Sequence, residues 1–401
     1  MALSLARRLD AVQPSVTLAM NARAAELRGK GVDVFAFGVG EPDFPPPHFV
    51  LDAARNALEK EVSKYTAVTG IAPLKEAICK RTAEVRGWSP KPSQVTVSVG
   101  AKHALMNVAI ALYEPGDEVV IPAPYWVSYP EQVKMMGAEP VHVFTDEASG
   151  FKMSPDQLAK VLGPKTKAVI LCTPSNPTGS AYTESELRAL VEVWKSKSES
   201  YLIVDEIYAD LVYDGFQHVS AAKIAEDVRD RIIVIDGVSK TYAMTGWRIG
   251  WSITNEVIAK ALDKVQGQST TNPTAIAQLA ALAAITGSQE EVAKMRATFE
   301  KRRKAMVEGL NSVEGIKCRM PEGAFYAFAD CRGLYGIPYK GKTIQSDEDV
   351  AFFLLENAHV AAVPGGAFGA PGYVRFSYAN SEERIAAGIA SIKKAIAAAK
   401  G

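Results

Sequence analysis

Short apolar runs alternate with longer amphipathic stretches along roughly the first 290 residues. A short apolar run bounded by turn residues predicts a strand, whereas apolar residues three and four positions apart predict a helix. The predicted strands cover 34–37, 94–99, 118–121, 140–144, 168–171, 201–204, 231–235 and 249–253. The predicted helices cover 5–30 with a break at Pro14, 48–60, 70–85, 103–112 and 184–195. This alternation indicates an α/β fold with a mostly parallel central sheet flanked by helices.

The pattern changes near residue 290. An alanine-rich run at 275–285 predicts a packed helix, and 290–310 predicts a long amphipathic helix. The remaining predicted elements are strands at 315–319, 325–328 and 373–377 and a helix at 347–359. These elements indicate a second, smaller α+β unit.

Composition narrows the classes of function. The chain has 401 residues, 48% of them hydrophobic, which is enough for two compact domains with substantial cores. Its 45 basic and 45 acidic residues cancel, so no global field favours nucleic acid or a membrane surface. The 4 cysteines form neither a C-x-x-C motif nor a cluster with zinc-ligand spacing. With no signal-peptide core and no bilayer-length apolar stretch, we expect a cytoplasmic enzyme with reduced thiols.

Two predicted strands are each followed by a reactive side chain. The two side chains lie about one βαβ unit apart in the sequence. Asp205 ends the apolar run 201–204, and Lys240 follows the run 231–235. Adjacent ends of a parallel sheet would bring the two together. A lysine amine can form a Schiff base with an aldehyde, and a carboxylate can hold a proton on a pyridine nitrogen; pyridoxal 5'-phosphate needs both groups. Taken singly, Asp205 could instead cap a helix or join an ion pair, and Lys240 could lie on the surface.

Polar or aromatic residues follow other predicted strands. Gly-Ala-Lys at 100–102 occupies a strand-to-helix turn, where free N–H groups and the helix dipole bind phosphate, although a plain connection has the same composition. Trp126 could stack on a flat cofactor or simply pack in the core. Asn176 lies in TPSNPTG, whose rigid turn can aim an amide at a ligand, and its alternative is an ordinary turn residue.

Three more residues could complete a site around this pair. Tyr208 lies three positions after Asp205, close enough to share the site if the chain turns. Arg248, eight positions after Lys240, could pair with a phosphate through two hydrogen bonds. Arg375 lies in an apolar strand and needs an anion, which is either an internal carboxylate or the carboxylate of a substrate.

Six phrases occur in one order along the chain: GEPDF, Y-x-x-x-x-G, PSNPTG, DEIYADL, SKTYAMTGWRIG and VRFSYA. A chain with these phrases resembles the class I aminotransferases of pyridoxal-phosphate fold type I. It is most similar to the bacterial and plant aspartate aminotransferase subgroup, which includes prephenate aminotransferases. The resemblance covers nearly the whole chain. It implies a large cofactor-binding domain at 46–295 and a small α+β domain at 296–401, which the N-terminal segment 1–45 joins.

The resemblance implies pyridoxal 5'-phosphate as cofactor and gives individual residues roles. Lys240 would bind the cofactor and shuttle the substrate α-proton, and Asp205 would hold the pyridinium proton. The other residues implied at the cofactor are Tyr208 and Asn176 at the phenolic oxygen, Trp126 on the ring, and Arg248, Ala101, Lys102 and Ser239 at the phosphate. Lys240, Asp205 and Tyr208 are the implied catalytic residues.

The resemblance also implies substrate contacts and a partner. Arg375 would bind the substrate α-carboxylate, with Gly40 lending a backbone contact and with Trp126 and Asn176 lining the same site. Tyr65 would reach the phosphate of the cofactor in the partner subunit, which implies a homodimer with shared active sites.

The choice of substrate depends on which positively charged residue can bind the side chain of the substrate amino acid. Residues 266–275, QGQSTTNPTA, hold no arginine, whereas this subgroup uses the lysine of the G-x-K turn, here Lys102. Lys102 would accept an acidic side chain, with Thr17 and Ser15 near the entrance; alternatively, it serves the phosphate turn alone. The implied reaction is amino transfer between aspartate and 2-oxoglutarate, ping-pong through pyridoxamine phosphate. The alternatives are a prephenate, glutamate or aromatic aminotransferase and a pyridoxal-phosphate-dependent β-lyase.

Overall fold

The computed structural model describes residues 5–12 and 16–400. Its helices are α1 Val16–Gly29, α2 His48–Glu59, α3 Ala72–Arg86, α4 Ala101–Leu112, α5 Ser128–Met135, α6 Pro155–Val161, α7 Glu184–Lys197, α8 Ala221–Ile224, α9 Val238–Thr241, α10 Glu256–Gly267, α11 Ala275–Thr286, α12 Glu290–Asn311, α13 Asp347–Asn357 and α14 Glu382–Lys400. Its strands are β1 Phe35–Ala36, β2 Val95–Ser98, β3 Glu118–Ala123, β4 Glu139–Phe144, β5 Thr166–Cys172, β6 Tyr201–Asp205, β7 Ile232–Gly237, β8 Gly250–Ile253, β9 Lys317–Cys318, β10 Tyr326–Asp330, β11 Pro338–Tyr339, β12 Lys342–Thr343, β13 Val360–Ala361, β14 Val363–Pro364 and β15 Tyr373–Ser377.

A seven-stranded sheet forms the centre of the larger unit, in the order β2-β8-β7-β6-β5-β3-β4. The strands from β7 to β4 in this order pair in parallel, and β8 runs antiparallel to both of its neighbours. The predicted α/β class with a mostly parallel sheet is therefore confirmed.

Both faces of this sheet are buried, which explains why its strands are continuous apolar runs. Along β6, Leu202 and Val204 pack into one helix-covered cluster, and Ile203 packs into the cluster on the opposite face. The first cluster takes in buried residues of α3, α7 and α11, and the second takes in residues of α4 and α10. Helices therefore cover both faces of the sheet, which leaves the carboxyl ends of its parallel strands as the place where ligands bind in such folds.

The smaller unit contains a four-stranded antiparallel sheet in the order β14-β15-β10-β9. β1, from the N-terminal part of the chain, pairs in parallel with β13, so residues from both ends of the chain build this region. The domain boundary predicted between residues 295 and 296 falls within α12 and stays a prediction.

Element ends and short elements account for most differences from the predicted elements. Pro14 lies outside the described residues, and the helix expected there consists of a 3-10 turn followed by α1. The strand predicted at 315–319 shortens to β9. Short helices such as α5 and α6 were not predicted, since seven or eight residues carry too few helical turns for a clear apolar stripe.

A buried arginine ties α3 to the ends of β6 and β7. Arg86 Nη1 lies 3.0 Å from Asp210 Oδ1, and two other nitrogens of this guanidinium lie 3.7 Å from Glu206 Oε2 and from Asp236 Oδ2. Asp210 also accepts a hydrogen bond from the Thr241 hydroxyl at 3.1 Å. The Thr241 hydrogen bond therefore links α9 to a buried charge network in which the loss of one partner would leave a charge uncompensated.

None of the helices formed by the described residues has the length and apolar character needed to cross a membrane. Within the same residues, no group of three or more His, Cys, Asp and Glu side chains is placed to hold a metal ion.

Candidate active site

The ends of β5, β6 and β7 bring three predicted site residues to one edge of the large sheet. Cys172, the last residue of β5, is in register with Asp205 at the end of β6. Asn176 follows β5 by four positions, and Lys240 lies in α9 directly after β7. β6 also pairs in parallel with β7, with Asp205 in register with Ile235, so Asp205 and Lys240 lie at neighbouring strand ends.

Asp205 is only 3% exposed and is held by two hydrogen bonds. The Tyr129 hydroxyl donates to its Oδ2 at 2.7 Å, and the Ile207 backbone N–H donates to its Oδ1 at 3.2 Å. Burial raises the pKa of Asp205 to about 6, against the opposing effects of these hydrogen bonds and of the Lys240 charge. In the described part of the chain no ion pair involves Asp205, and no helix begins directly after it. Asp205 therefore neither caps a helix nor joins an ion pair there.

Lys240 is partly buried, and its Nζ donates a hydrogen bond to the Gly40 carbonyl at 2.7 Å. Burial lowers the pKa of Lys240 to about 8; the charge of Glu41 opposes this shift, whereas those of Arg375 and Arg248 add to it. An amine with a pKa of about 8 is neutral, and thus nucleophilic, in a useful fraction of molecules near neutral pH. Lys240 is therefore no ordinary surface lysine.

Arg375 is 3% exposed and has no carboxylate partner among the described residues. Its Nη1 donates to Asn176 Oδ1 at 2.8 Å, and its Nη2 donates to the Gly38 carbonyl at 2.9 Å. Its Nε finds no hydrogen-bond partner within residues 5–12 and 16–400. Burial lowers the pKa of Arg375 from its ordinary value. A buried guanidinium that lacks a counter-ion is suited to bind an anion such as a substrate carboxylate.

The turn at the start of α4 forms a cradle beside Arg248. Gly100 has a φ of 84°, and no side chain of the described residues caps the helix that follows it. A Cβ atom on Gly100 would lie 2.5 Å from Arg248 Nη2, and one on Gly250 would lie 2.3 Å from the Ala101 nitrogen. Arg248 is held by bonds from its Nη1 to the Thr245 carbonyl at 2.9 Å and from its Nη2 to a backbone carbonyl in the preceding turn. The helix N–H groups and the guanidinium together suit a phosphate group.

Trp126 and Lys102 lie beside this cradle. The Lys102 ammonium lies 4.9 Å from the centre of the Trp126 ring, and the ring meets Tyr129 edge-on at 5.3 Å. Burial lowers the pKa of Lys102, and the charge of Arg248 lowers it further. No acidic side chain of the described residues pairs with Lys102, so its charge is available to a ligand.

The remaining predicted residues differ in their surroundings. The Tyr208 hydroxyl lies 2.9 Å from the Tyr326 hydroxyl, and Ser239 is buried just before Lys240. Tyr65 is 88% exposed, between α2 and α3, and makes no hydrogen bond within the described part of the chain. Ser15 lies outside the described residues, and Thr17 lies in α1.

Sequence reasoning missed three aromatic residues of the site: Tyr129, Tyr326 and Phe368. A signal existed for Tyr129, which lies three positions after Trp126 and therefore on the same side of any helical turn. Tyr326 and Phe368 contact Arg375 only because the second half of the chain folds into an antiparallel sheet, which no local pattern reveals.

The chain matches known proteins along most of its length. The family model described as aminotransferase class I and II matches residues 32–392. An aspartate aminotransferase of Geobacillus stearothermophilus is 46% identical over 393 residues, 98% of each chain, and an aspartate/prephenate aminotransferase of Cereibacter sphaeroides is 44% identical over 380 residues, 94% of this chain and 95% of its own. The solved aspartate aminotransferase of Rhizobium meliloti has a TM-score of 0.95 at 40% identity, with 99% of each chain covered. That of Thermus thermophilus with maleate has a TM-score of 0.92 at 39% identity, covering 98% of this chain and 100% of its own.

Proposed function

The chain belongs to the class I and II aminotransferase family, and on that premise we propose that it transfers the amino group of aspartate to 2-oxoglutarate with pyridoxal 5'-phosphate as its cofactor. Its large sheet and smaller α+β unit have the fold-type-I architecture of the solved aspartate aminotransferases, and it is an aminotransferase. The main support for the proposal is a lysine of lowered pKa near a buried acid and near a buried arginine that has no acidic partner among the described residues.

The residues at this edge of the sheet suit pyridoxal 5'-phosphate. When bound, this cofactor supplies an aldehyde that condenses with amines and a ring that accepts an electron pair from the substrate α-carbon. The cradle that a Cβ on Gly100 would fill suits the phosphate, and the buried Asp205 suits the ring nitrogen. The proposed ligands are Lys240 at the aldehyde carbon, Asp205 at the ring nitrogen, Tyr208 and Asn176 at the ring oxygen, Trp126 on the ring face, and Arg248, Ser239 and the backbone of Ala101 and Lys102 at the phosphate.

Arg375, Lys240 and Asp205 each have a chemical task in this proposal. Arg375 holds the substrate α-carboxylate, with Gly40 beside it, and thereby directs the α-carbon towards Lys240. Lys240 Nζ, when free as an amine, would take the proton from the substrate α-carbon. The lowered pKa of Lys240 makes the amine available as a base, and Asp205 as a carboxylate favours a proton on the ring nitrogen.

Lys102 is proposed as the site for the second carboxylate of the substrate. It lies over Trp126, and among the described residues it has no acidic partner. The relatives named for aspartate and for aspartate/prephenate support an acidic substrate, and prephenate is the second candidate because of the Cereibacter sphaeroides relative. A flexible lysine can reach carboxylates of different lengths, which suits either substrate.

Steady-state assays with aspartate, glutamate, phenylalanine and prephenate test this function. We expect aspartate to have a higher kcat/KM than phenylalanine. Lys102→Ala should lower kcat/KM for aspartate by about 10-fold or more, because one charged contact is lost, and should change that for phenylalanine by less than about 2-fold. Lys80→Ala, a mostly exposed lysine of α3, is the control that should change neither value. A preference for phenylalanine over aspartate would refute the proposed substrate.

A homodimer with shared sites is proposed because of Tyr65. This side chain is a large aromatic that is 88% exposed, although hydrogen bonds hold the loop that carries it. Gln278 donates to the Thr66 hydroxyl at 3.0 Å, and Gln266 donates to the Val68 carbonyl at 2.6 Å. A fixed loop that presents an exposed tyrosine suits a contact with the phosphate site of a second subunit.

A further inference from the structure

Tyr326 contacts two residues of the candidate site, Tyr208 and Arg375. It is a buried residue of β10, which pairs with the strand that carries Arg375. Its hydroxyl lies 2.9 Å from the Tyr208 hydroxyl, and either oxygen can be the donor. Burial raises the pKa of both phenols, so both carry their protons at neutral pH.

The ring of Tyr326 contacts Arg375. The guanidinium carbon lies 4.5 Å from the centre of the Tyr326 ring and 5.0 Å from the centre of the Phe368 ring. Its edges donate to Asn176 and to the Gly38 carbonyl. Aromatic faces attract the cation without using its hydrogen-bond donors, so they can fix the guanidinium while its Nε stays available.

The N-terminal loop limits the freedom of the Tyr326 hydroxyl. A Cβ atom on Gly40 would lie 3.2 Å from this oxygen. The same loop holds Lys240, because the Gly40 carbonyl accepts a hydrogen bond from its Nζ. Tyr326 is therefore packed against the segment that contacts the reactive lysine.

We propose that Tyr326 is a positioning residue that acts at two points, with its hydroxyl orienting the Tyr208 proton and its ring fixing the plane of Arg375. A phenol has one proton to donate, so a Tyr208 that donates to the cofactor's ring oxygen must accept from Tyr326. The proposal rests on the proposed function, which places Tyr208 at that oxygen and Arg375 at the substrate carboxylate. It couples the cofactor site to the substrate site through a single side chain.

A double-mutant cycle tests the role of the hydroxyl. Tyr326→Phe keeps the ring and should lower kcat by about 5-fold, the effect of one hydrogen bond, with KM for aspartate changed by less than about 2-fold. It should also shift the pH at which the bound cofactor changes its absorbance. In a Tyr208→Phe background the same substitution should change kcat by less than about 1.5-fold, because its target hydroxyl is gone. Equal fold-losses in the two backgrounds would overturn this role.

Removal of the ring tests the second role. Tyr326→Leu should raise KM for aspartate and Kd for maleate, a dicarboxylate probe, by about 10-fold beyond the values of Tyr326→Phe, because the guanidinium loses one aromatic face. Tyr326→Met, which has a flexible side chain to fill the space, serves if the leucine variant does not fold. KM and Kd equal to those of Tyr326→Phe would overturn the role of the ring.

One control variant and the activity of the wild-type protein distinguish a failure of this inference from a failure of the proposed function. Tyr378→Phe removes another buried hydroxyl of the small unit, which donates to the Ala324 carbonyl at 3.2 Å, and should leave kcat and KM unchanged. A wild-type protein that binds pyridoxal 5'-phosphate and transaminates aspartate, but shows equal losses in the cycle, refutes only the role of Tyr326. A wild-type protein that does not transaminate aspartate refutes the proposed function itself.

Discussion

Lys240 has its unusual acidity because of residues that lie far from it in sequence. The position of Lys240 after a strand was readable from the local pattern, and so was Asp205 at the end of the strand beside it. The lowered pKa of Lys240 cannot be read from the local pattern, because it depends on burial and on Arg375, which reaches the site from β15. Local patterns therefore identify the reactive groups, and only tertiary contacts tune them.

The pKa of Lys240 predicts how the cofactor-free protein rebinds pyridoxal 5'-phosphate. Because the neutral amine is the nucleophile, the rate constant for covalent binding should rise with pH and level off above about 8. Absorbance measured after mixing at a series of pH values follows this reaction. Lys240→Ala should form no covalent adduct at any pH. A midpoint near the 10.5 of an ordinary lysine would contradict the burial of this amine.

Tyr129 is expected to hold Asp205 in the orientation that its proposed role at the cofactor requires. Tyr129→Phe removes a 2.7 Å hydrogen bond to a buried carboxylate. Since such a bond contributes about 1.5–3 kcal/mol, we expect kcat to fall by about 10-fold and cofactor affinity to weaken. Tyr182→Phe is the matched control, because its buried hydroxyl accepts a hydrogen bond from the Met153 N–H at 2.8 Å instead of holding a carboxylate. Similar losses of kcat in the two variants would show that Tyr129 has no special role.

At the scale of elements, α4 contributes its N-terminus. Gly100→Ala would place a methyl group 2.5 Å from Arg248 Nη2 at a residue whose φ is 84°. We expect Kd for pyridoxal 5'-phosphate to rise by about 10-fold or more, because the cradle loses its phosphate geometry. Gly116→Ala has a φ of 98° but open space around it, and should cost only about 1–2 kcal/mol of unfolding free energy. Unchanged cofactor affinity in Gly100→Ala would contradict the proposed phosphate site.

The elements differ in how well sequence predicts them. The central strands were predicted almost to their ends, because a strand buried on both faces reads as an apolar run. Only the structure shows that β8 runs antiparallel to its neighbours, since strand direction leaves no mark on such a run. α5, which carries Tyr129, is 8 residues long and too short for a distinct helical period.

At the scale of the whole molecule, Tyr65 predicts shared active sites. If each site takes its lysine from one subunit and Tyr65 from the other, a mixed dimer of Lys240→Ala and Tyr65→Ala subunits has one intact site. After subunit exchange, a random mixture should regain about a quarter of the wild-type activity, because half of its dimers are mixed. Each variant subjected alone to the same exchange is the control. A mixture that shows no more than the average activity of the two variants would place both residues in the same subunit's site.

The half-reaction with aspartate distinguishes an aspartate aminotransferase from a lyase. Protein loaded with pyridoxal 5'-phosphate is mixed with aspartate in the absence of any 2-oxo acid, and oxaloacetate is measured against subunit concentration. We expect about one oxaloacetate per subunit, loss of the yellow absorbance, and a second turnover only when 2-oxoglutarate is added. Two results together would contradict amino transfer from aspartate and indicate a lyase. These are no oxaloacetate from aspartate, and continuous release of pyruvate and ammonia from a β-substituted amino acid without an acceptor.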